Sequence, residues 1–247
     1  MLLAIDIGNT NISFGAFDSK RLVKRFDIPT YGYSLRSLKK SLGRIEMEDC
    51  IICSVVPKVS RILKADLKKL LGKRACVVGE DVKVPIKNLY RKPRQVGSDR
   101  LVNAYAGIVL YGAPLIIVDF GTAVTFDVIS KRREYLGGMI LPGMGISLDA
   151  LTERTALLPE VKLNKPAELI GRDTKSSMLS GIVYGFASLA ENLTKRIKEK
   201  IGKDAKVVAT GGDVGIIGRY FKGIDKIDKN LTLKGLILVL TIPRSTR

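Results

Sequence analysis

Runs of apolar residues and amphipathic stretches succeed one another along this chain, and the breaks between them mark its elements. Residues 2–6 form a short apolar run closed by Asp6, the pattern of a buried strand. Residues 11–17 and 22–28 read as two more strands, joined through Asp18-Ser19-Lys20, so the chain opens as a meander. Helical character follows over 33–42 and stops at Gly43. The apolar strand 50–56 ends at Pro57, a residue suited to the first position of a helix. Val59, Ile62, Leu63, Leu67, Leu70 and Leu71 then share one face of an amphipathic helix closed by Gly72. Residues 75–78 read as a strand, and 79–96 as an ordered loop or crossing segment rich in Lys and Arg.

A long helix is predicted over 98–111, and after it the opening pattern returns. Strands at 115–119, 124–130 and 134–140 form a second meander, with Lys131-Arg132-Arg133 at its turn. Asp6-Ile-Gly-Asn-Thr and Asp119-Phe-Gly-Thr-Ala hold the same place in each, which is the mark of a whole-fold duplication. Helices at 145–155 and 176–200, a strand at 206–210 ending in Gly211-Gly212, a short helix at 214–221, a strand at 223–227 and an apolar helix at 231–240 complete the chain. The expectation is an α/β protein of two similar domains with mixed sheets, 1–111 and 112–247.

Composition narrows the chemistry. The chain has 247 residues and a formal net charge of +18, which attracts anions such as nucleotides and phosphorylated metabolites. It has no His, which excludes Ser-His-Asp and Cys-His catalysis and any imidazole zinc site. Three cysteines do not suit a secreted disulfide framework. Cys50-Ile-Ile-Cys53 lies on a predicted strand, where positions three apart face opposite ways, so it reads as two core residues rather than a redox pair. Residues 101–118 carry no charge, but Asn103, Gly112 and Pro114 interrupt them, and no membrane span is expected. Met1 to Asp6 does not read as a signal peptide, and the expected location is cytoplasmic.

Two sites repeat one chemistry. In Asp6-x-Gly8-Asn9-Thr10-Asn11 the glycine permits a close approach to an anion, backbone N–H groups and polar side chains donate to phosphate, and Asp6 can hold a hydrated cation. Asp119-x-Gly121-Thr122-Ala123-x-Thr125 offers the same, and two such hairpins could clamp one polyphosphate. No Walker A sequence is present. Val96-Gly97-Ser98-Asp99-Arg100 opens the long helix; Asp99 is either a first-turn acid suited to the helix dipole or a base that accepts a hydroxyl proton. Gly137-Gly138-x-Ile140-x-Pro142-Gly143 either approaches a ligand or shapes a corner.

Together these motifs resemble the type III pantothenate kinases, a family of the duplicated actin/hexokinase/heat-shock-chaperone (ribonuclease H-like) ATPase fold. The resemblance rests on the two Asp-x-Gly hairpins, Tyr90 and Pro93 before Gly97-Ser-Asp-Arg100, Gly137 to Gly143, Thr155-Ala-x-Leu-Pro159, Gly171-x-Asp-Thr174 and Thr210-Gly-Gly212. It implies ATP-dependent phosphorylation of pantothenate to 4'-phosphopantothenate, the first step of coenzyme A biosynthesis. By the same resemblance Asp6, Ile7, Gly8, Asn9, Thr10, Asn11, Ile12 and Ser13 line the ATP phosphates and Thr122 contacts ATP. Asp99 is the general base, and Tyr90, Gly97, Ser98, Asp99, Arg100 and Thr174 contact pantothenate. Asp119 holds a monovalent cation, K+ or NH4+, Mg2+ accompanies ATP, and the protein is a homodimer. Ser98 departs from the Ala common in the family, and Glu153-Arg154 stands where a Gly is usual nearby.

Three rival readings remain at this point. A nucleotide-binding regulatory factor in transcription would use the positive charge, although no helix-turn-helix or aromatic stacking platform is visible and no nucleic acid partner is expected. A polymerising actin-like ATPase would need more chain, and a sugar or acetate kinase would differ mainly at residues 90–100.

Overall fold

The first strand, β1 (Leu2–Ile7), is hydrogen-bonded along both edges, and this fixes the sheet around it. It pairs antiparallel with β2 (Asn11–Asp18), which pairs antiparallel with β3 (Arg21–Pro29). Helix α1 (Leu35–Leu42) starts at a capping box made by Ser34 and Ser37. Strand β4 (Asp49–Ser54) returns parallel to the free edge of β1. Helix α2 (Pro57–Leu71) begins on Pro57 and ends at Gly72 in a left-handed conformation, and β5 (Cys76–Val77) adds parallel to β4. The computed structural model describes residues 1–43 and 46–242.

After β6 (Lys87–Asn88) and α3 (Ser98–Tyr111) the same construction repeats. Strands β7 (Leu115–Phe120), β8 (Ala123–Ile129) and β9 (Glu134–Pro142) form an antiparallel meander, followed by α4 (Met144–Arg154) and α5 (Thr174–Ile201). Strand β10 (Lys206–Thr210) lies parallel to β7, then come α6 (Val214–Ile217), β11 (Lys226–Ile227) parallel to β10, and α7 (Leu231–Leu240). The sheet orders are β3-β2-β1-β4-β5 and β11-β10-β7-β8-β9-β6. Reversed, the second is the first with β6 added at the edge. This is a duplicated α/β fold with two mixed sheets.

Each sheet buries its faces under helices. In the first, Leu3, Ile5, Ile7, Ile12 and Phe14 pack with Leu38, Leu42, Leu63 and Leu67, and the opposite face carries Ala4, Phe17, Ile51 and Cys53 against Leu233, Leu236 and Ile237 of α7. In the second, Ile116, Val118, Phe120, Val124 and Phe126 pack with Met144, Val183, Ala187 and Val214. Cys50 and Cys53 fall in the two opposite cores of the first sheet, and all three cysteines are free.

By contacts, one unit comprises residues 1–86, 91–106 and 231–247, and the other 87–90 and 107–230. A cut between 111 and 112 differs from this in three ways, one being that residues 87–90 join the second unit. The closing helix α7 joins the first unit, because its apolar face covers the sheet of β1 and β4. Helix α3 contributes its first part to the first unit and its remainder to the second.

The Gly211-Gly212 pair after β10 is asymmetric. Gly211 has φ of 98°, and a Cβ there would strike the Phe120 carbonyl and the Asp119 carboxylate, whereas nothing lies within 4 Å of one at Gly212. Gly211→Ala is therefore expected to lose about 2 kcal/mol through backbone strain and overlap. That corresponds to a fall in Tm of roughly 4–8 °C for a chain of this size. Gly212→Ala should stay within about 1 °C of wild type, since surface changes away from such features are nearly neutral. Thermal unfolding of both variants checks this, and equal Tm values would contradict it.

Candidate active site

In the first unit the β1–β2 turn is closed by the Gly8 N–H donating to the Asn11 carbonyl at 3.0 Å. Asn9, Thr10 and Asn11 are exposed at its tip, while Ile7 and Ile12 are fully buried core residues that offer only their backbone. Asp6 stands at the end of β1, half-buried. Strand register places Asp27, Ser13, Asp6 and Cys53 in one row across β3, β2, β1 and β4. Neighbours in register share a face, so these four side chains rise from the same side of the sheet. The Ser13 hydroxyl is committed to Asp27, donating at 2.6 Å.

The row continues into α3. The Cys53 thiol lies 3.1 Å from the Ser98 hydroxyl, and the next residue is Asp99. Burial pushes the Cys53 thiol well above its ordinary pKa, and the nearby carboxylates of Asp6 and Asp99 add to this, so the thiol stays neutral and inert. A phosphate-side carboxylate and the candidate base thus flank the same buried sulfur.

Asp99 sits in the first turn of α3 and accepts the Arg100 backbone N–H at 2.9 Å. Burial pushes its carboxyl above the ordinary aspartate value, opposed by the Arg100 N–H and guanidinium. Any Cβ at Gly97 would run into the Asp99 carboxylate, so the glycine makes room for this rotamer. Arg100 is buried, at 8% exposure. A half-buried carboxylate with a raised pKa, at a helix start lined by Gly and Ser, is suited to accept a hydroxyl proton.

In the second unit the β7–β8 turn repeats the first with one residue fewer: the Gly121 N–H donates to the Ala123 carbonyl at 3.1 Å. Asp119 ends β7 opposite Thr125. Two glycine corners close around this turn. A Cβ at Gly143 would overlap the Gly121 and Thr122 carbonyls, and Gly211 is held against Phe120 and Asp119. The Asp213 N–H donates to the Phe120 carbonyl at 2.9 Å, and burial pushes the Asp213 carboxyl up. The glycines of 137–143 and 210–212, ambiguous in the sequence, therefore include two that pack directly on the second hairpin.

Within that unit Tyr90 lies against Gly137, its ring 3.3 Å from where a Cβ would be. Thr174 opens α5 behind the Asp173–Ser176 capping box and lines an open cavity of about 630 Å³ with Leu158, Arg172, Ser177 and Met178. Asp127, which the sequence reading passed over, is fully buried and accepts the Tyr135 hydroxyl at 2.8 Å and that of Thr125 at 3.4 Å. An acidic residue two positions after Thr125 on an otherwise apolar strand was the available signal.

The oxygen-only donors at Asp6 and Asp119 suit hard cations rather than thiophilic metals. Among the described residues no group of three or more acidic or cysteine side chains forms a protein cage. A carboxylate such as Asp6 is the kind of protein group that accompanies substrate phosphates around a hard divalent cation.

Comparison with known proteins bears on the fold and the family. A Campylobacter jejuni protein placed in the Baf family of transcriptional activators has a TM-score of 0.62 at 21% identity, over 96% of each chain. The activator of 2-hydroxyisocaproyl-CoA dehydratase from Clostridium difficile, solved with bound ADPNP, has a TM-score of 0.56 at 12% identity, over 96% of this chain and 93% of that one. Both likenesses show the fold alone. The family model described as type III pantothenate kinase matches residues 2–196. A protein named type III pantothenate kinase from Moorella thermoacetica is 44% identical over 97% of this chain and 98% of its own. Matched in this way along nearly its whole length, the chain belongs to the type III pantothenate kinase family.

Proposed function

We propose that the protein transfers the γ-phosphoryl group of ATP to the primary hydroxyl of pantothenate, giving 4'-phosphopantothenate and ADP. The observation that carries this reading is the row through Cys53, which sets a phosphate-side carboxylate, Asp6, and a raised-pKa carboxylate, Asp99, around one thiol. Phosphoryl transfer asks a protein mainly for positioning and charge neutralisation, and both can be supplied without histidine.

In this reading the Asn9 and Asn11 region donates to the ATP phosphates, and Thr122 is a further nucleotide contact. Asp99 takes the hydroxyl proton as the oxygen attacks phosphorus, and Arg100 with Ser98 and Gly97 orients the acceptor. Thr174 and Tyr90 supply further acceptor contacts. Asp6 is the carboxylate that would hold Mg2+ beside the ATP phosphates, where the ion would supply neutralisation of their charge. Asp119, with Thr125 opposite, is the site for a monovalent cation, K+ or NH4+. No helix among the described residues is long and apolar enough to cross a membrane. A transcriptional role gains nothing from a 21% likeness, which carries the fold only.

Steady-state assays of ADP release with MgATP and pantothenate test the base. Asp99→Asn is expected to lower kcat by about 10²–10⁴-fold while leaving ATP affinity within roughly threefold. Because burial raises the Asp99 pKa in the folded state, the ionised carboxylate destabilises the fold at neutral pH, and this penalty fades as pH falls through that pKa. The Asn variant should therefore melt no lower than wild type at pH 7. In the wild type, kcat/KM should fall on acidification with a midpoint above the ordinary aspartate value. Wild-type turnover in Asp99→Asn would remove Asp99 from the role.

Asp119→Asn is expected to abolish stimulation by K+, leaving turnover at the level wild type shows in K+-free buffer; undiminished stimulation would put the cation elsewhere. A homodimer is also part of the proposal. It is supported by Leu157, Leu169 and Ile170 of the second unit, which are 91%, 60% and 79% exposed and apolar. Sedimentation equilibrium should give twice the chain mass of 27.0 kDa, and a monomer at assay concentration would contradict it.

A further inference from the structure

The two hairpins differ at the residue that follows the third strand of each meander. In the first unit Pro29 pairs with Asn11 and the Thr30 N–H donates to the Thr10 carbonyl at 2.9 Å. In the second, Pro142 pairs with Ala123 and the Gly143 N–H donates to the Thr122 carbonyl at 3.1 Å. Thr30 and Gly143 are therefore equivalent positions of the duplication. At Gly143 a side chain is excluded, because its Cβ would meet two carbonyls of the turn. At Thr30 a side chain is present, is 7% exposed, and its hydroxyl donates to the Gly8 carbonyl at 2.8 Å. One residue of β3's end thus holds two carbonyls of the first hairpin, on either side of Asn9.

The consequence follows from peptide geometry. A trans peptide is planar, and its C=O and N–H point in opposite directions. Holding the Gly8 carbonyl toward Thr30 aims the N–H of Asn9 the other way, out of the turn. A donor fixed before the ligand arrives binds an anion without an ordering penalty at that moment.

We propose that Thr30 is a positioning residue for nucleotide binding, acting through the Gly8–Asn9 peptide to aim the Asn9 N–H at the ATP phosphates. This rests on the reading of the first hairpin as the phosphate site. The second hairpin lacks this particular clamp, because the position equivalent to Thr30 is Gly143, which has no side chain.

Thr30→Val and Thr30→Ser test it. Valine keeps the shape and the backbone N–H but deletes the hydroxyl; serine keeps the hydroxyl. In the ligand-free protein the 15N order parameter of Asn9 should be near ~0.85 in wild type and Thr30→Ser, and fall toward ~0.6 in Thr30→Val. By calorimetry, Kd for the magnesium complex of a non-hydrolysable ATP analogue should rise about 5–10-fold in Thr30→Val, the size of one neutral hydrogen bond, and return in Thr30→Ser. The KM for pantothenate should stay within about twofold of wild type, because the clamp acts on the nucleotide side. An order parameter and Kd in Thr30→Val matching wild type would overturn the proposal, as would a lowered Tm with nucleotide affinity intact. Wild-type protein that binds no nucleotide would overturn the functional reading together with this inference, and would be seen before any variant is compared.

Discussion

A backbone N–H keeps a fixed direction when the carbonyl that shares its peptide is held by another group. That accounting governs both hairpins. In the first, the Gly8 and Thr10 carbonyls are taken by Thr30, and the Asn11 carbonyl by Gly8. In the second, the Thr122 carbonyl goes to Gly143, the Ala123 carbonyl to Gly121 and the Phe120 carbonyl to Asp213. Each turn stands at the end of a strand bonded on both edges, β1 or β7, and Thr30, Gly143 and Asp213, which hold its carbonyls, stand just beyond the ends of other strands of the same sheet.

The same sheet organises the acid–base side. Because β1 and β4 are in register, Asp6 and Cys53 are neighbours, and the thiol contact to Ser98 ties the start of α3 to that row. A carboxylate needed as a base must be partly withdrawn from water to raise its pKa, and a buried charge opposes folding. Here the opposition is limited by the Arg100 N–H and guanidinium, while Gly97 leaves the carboxylate its space. Histidine is not needed, since electrostatics and positioning carry most of phosphoryl transfer.

Local patterns were legible in the sequence and distant partners were not. The strands of both meanders, the helices over residues 57–71 and 98–111 and the duplication itself follow from apolar runs and the repeated Asp-x-Gly. The opposite orientation of Cys50 and Cys53 follows from the two-residue strand period. The helix Leu231–Leu240 looked like the end of the second half, because nothing in an apolar helix says which sheet it will cover. Gly143 was legible only as a ligand approach or a corner, and neither it nor Gly211 named its neighbour, since the carbonyls that exclude a side chain belong to residues 120–122 of another turn. Thr30 was invisible for the same reason: its partner Gly8 lies two strands earlier. Asp99 was legible only as one of two readings, a first-turn acid or a base, and its burial supports the base that we propose.

The central claim is that phosphate leaves ATP for the hydroxyl of pantothenate. Mass spectrometry of a single-turnover mixture of protein, MgATP, K+ and pantothenate tests it most directly. The account predicts one phosphate added to pantothenate for each ADP formed. ATP bound but unconsumed, or ADP formed with pantothenate unchanged, would contradict it.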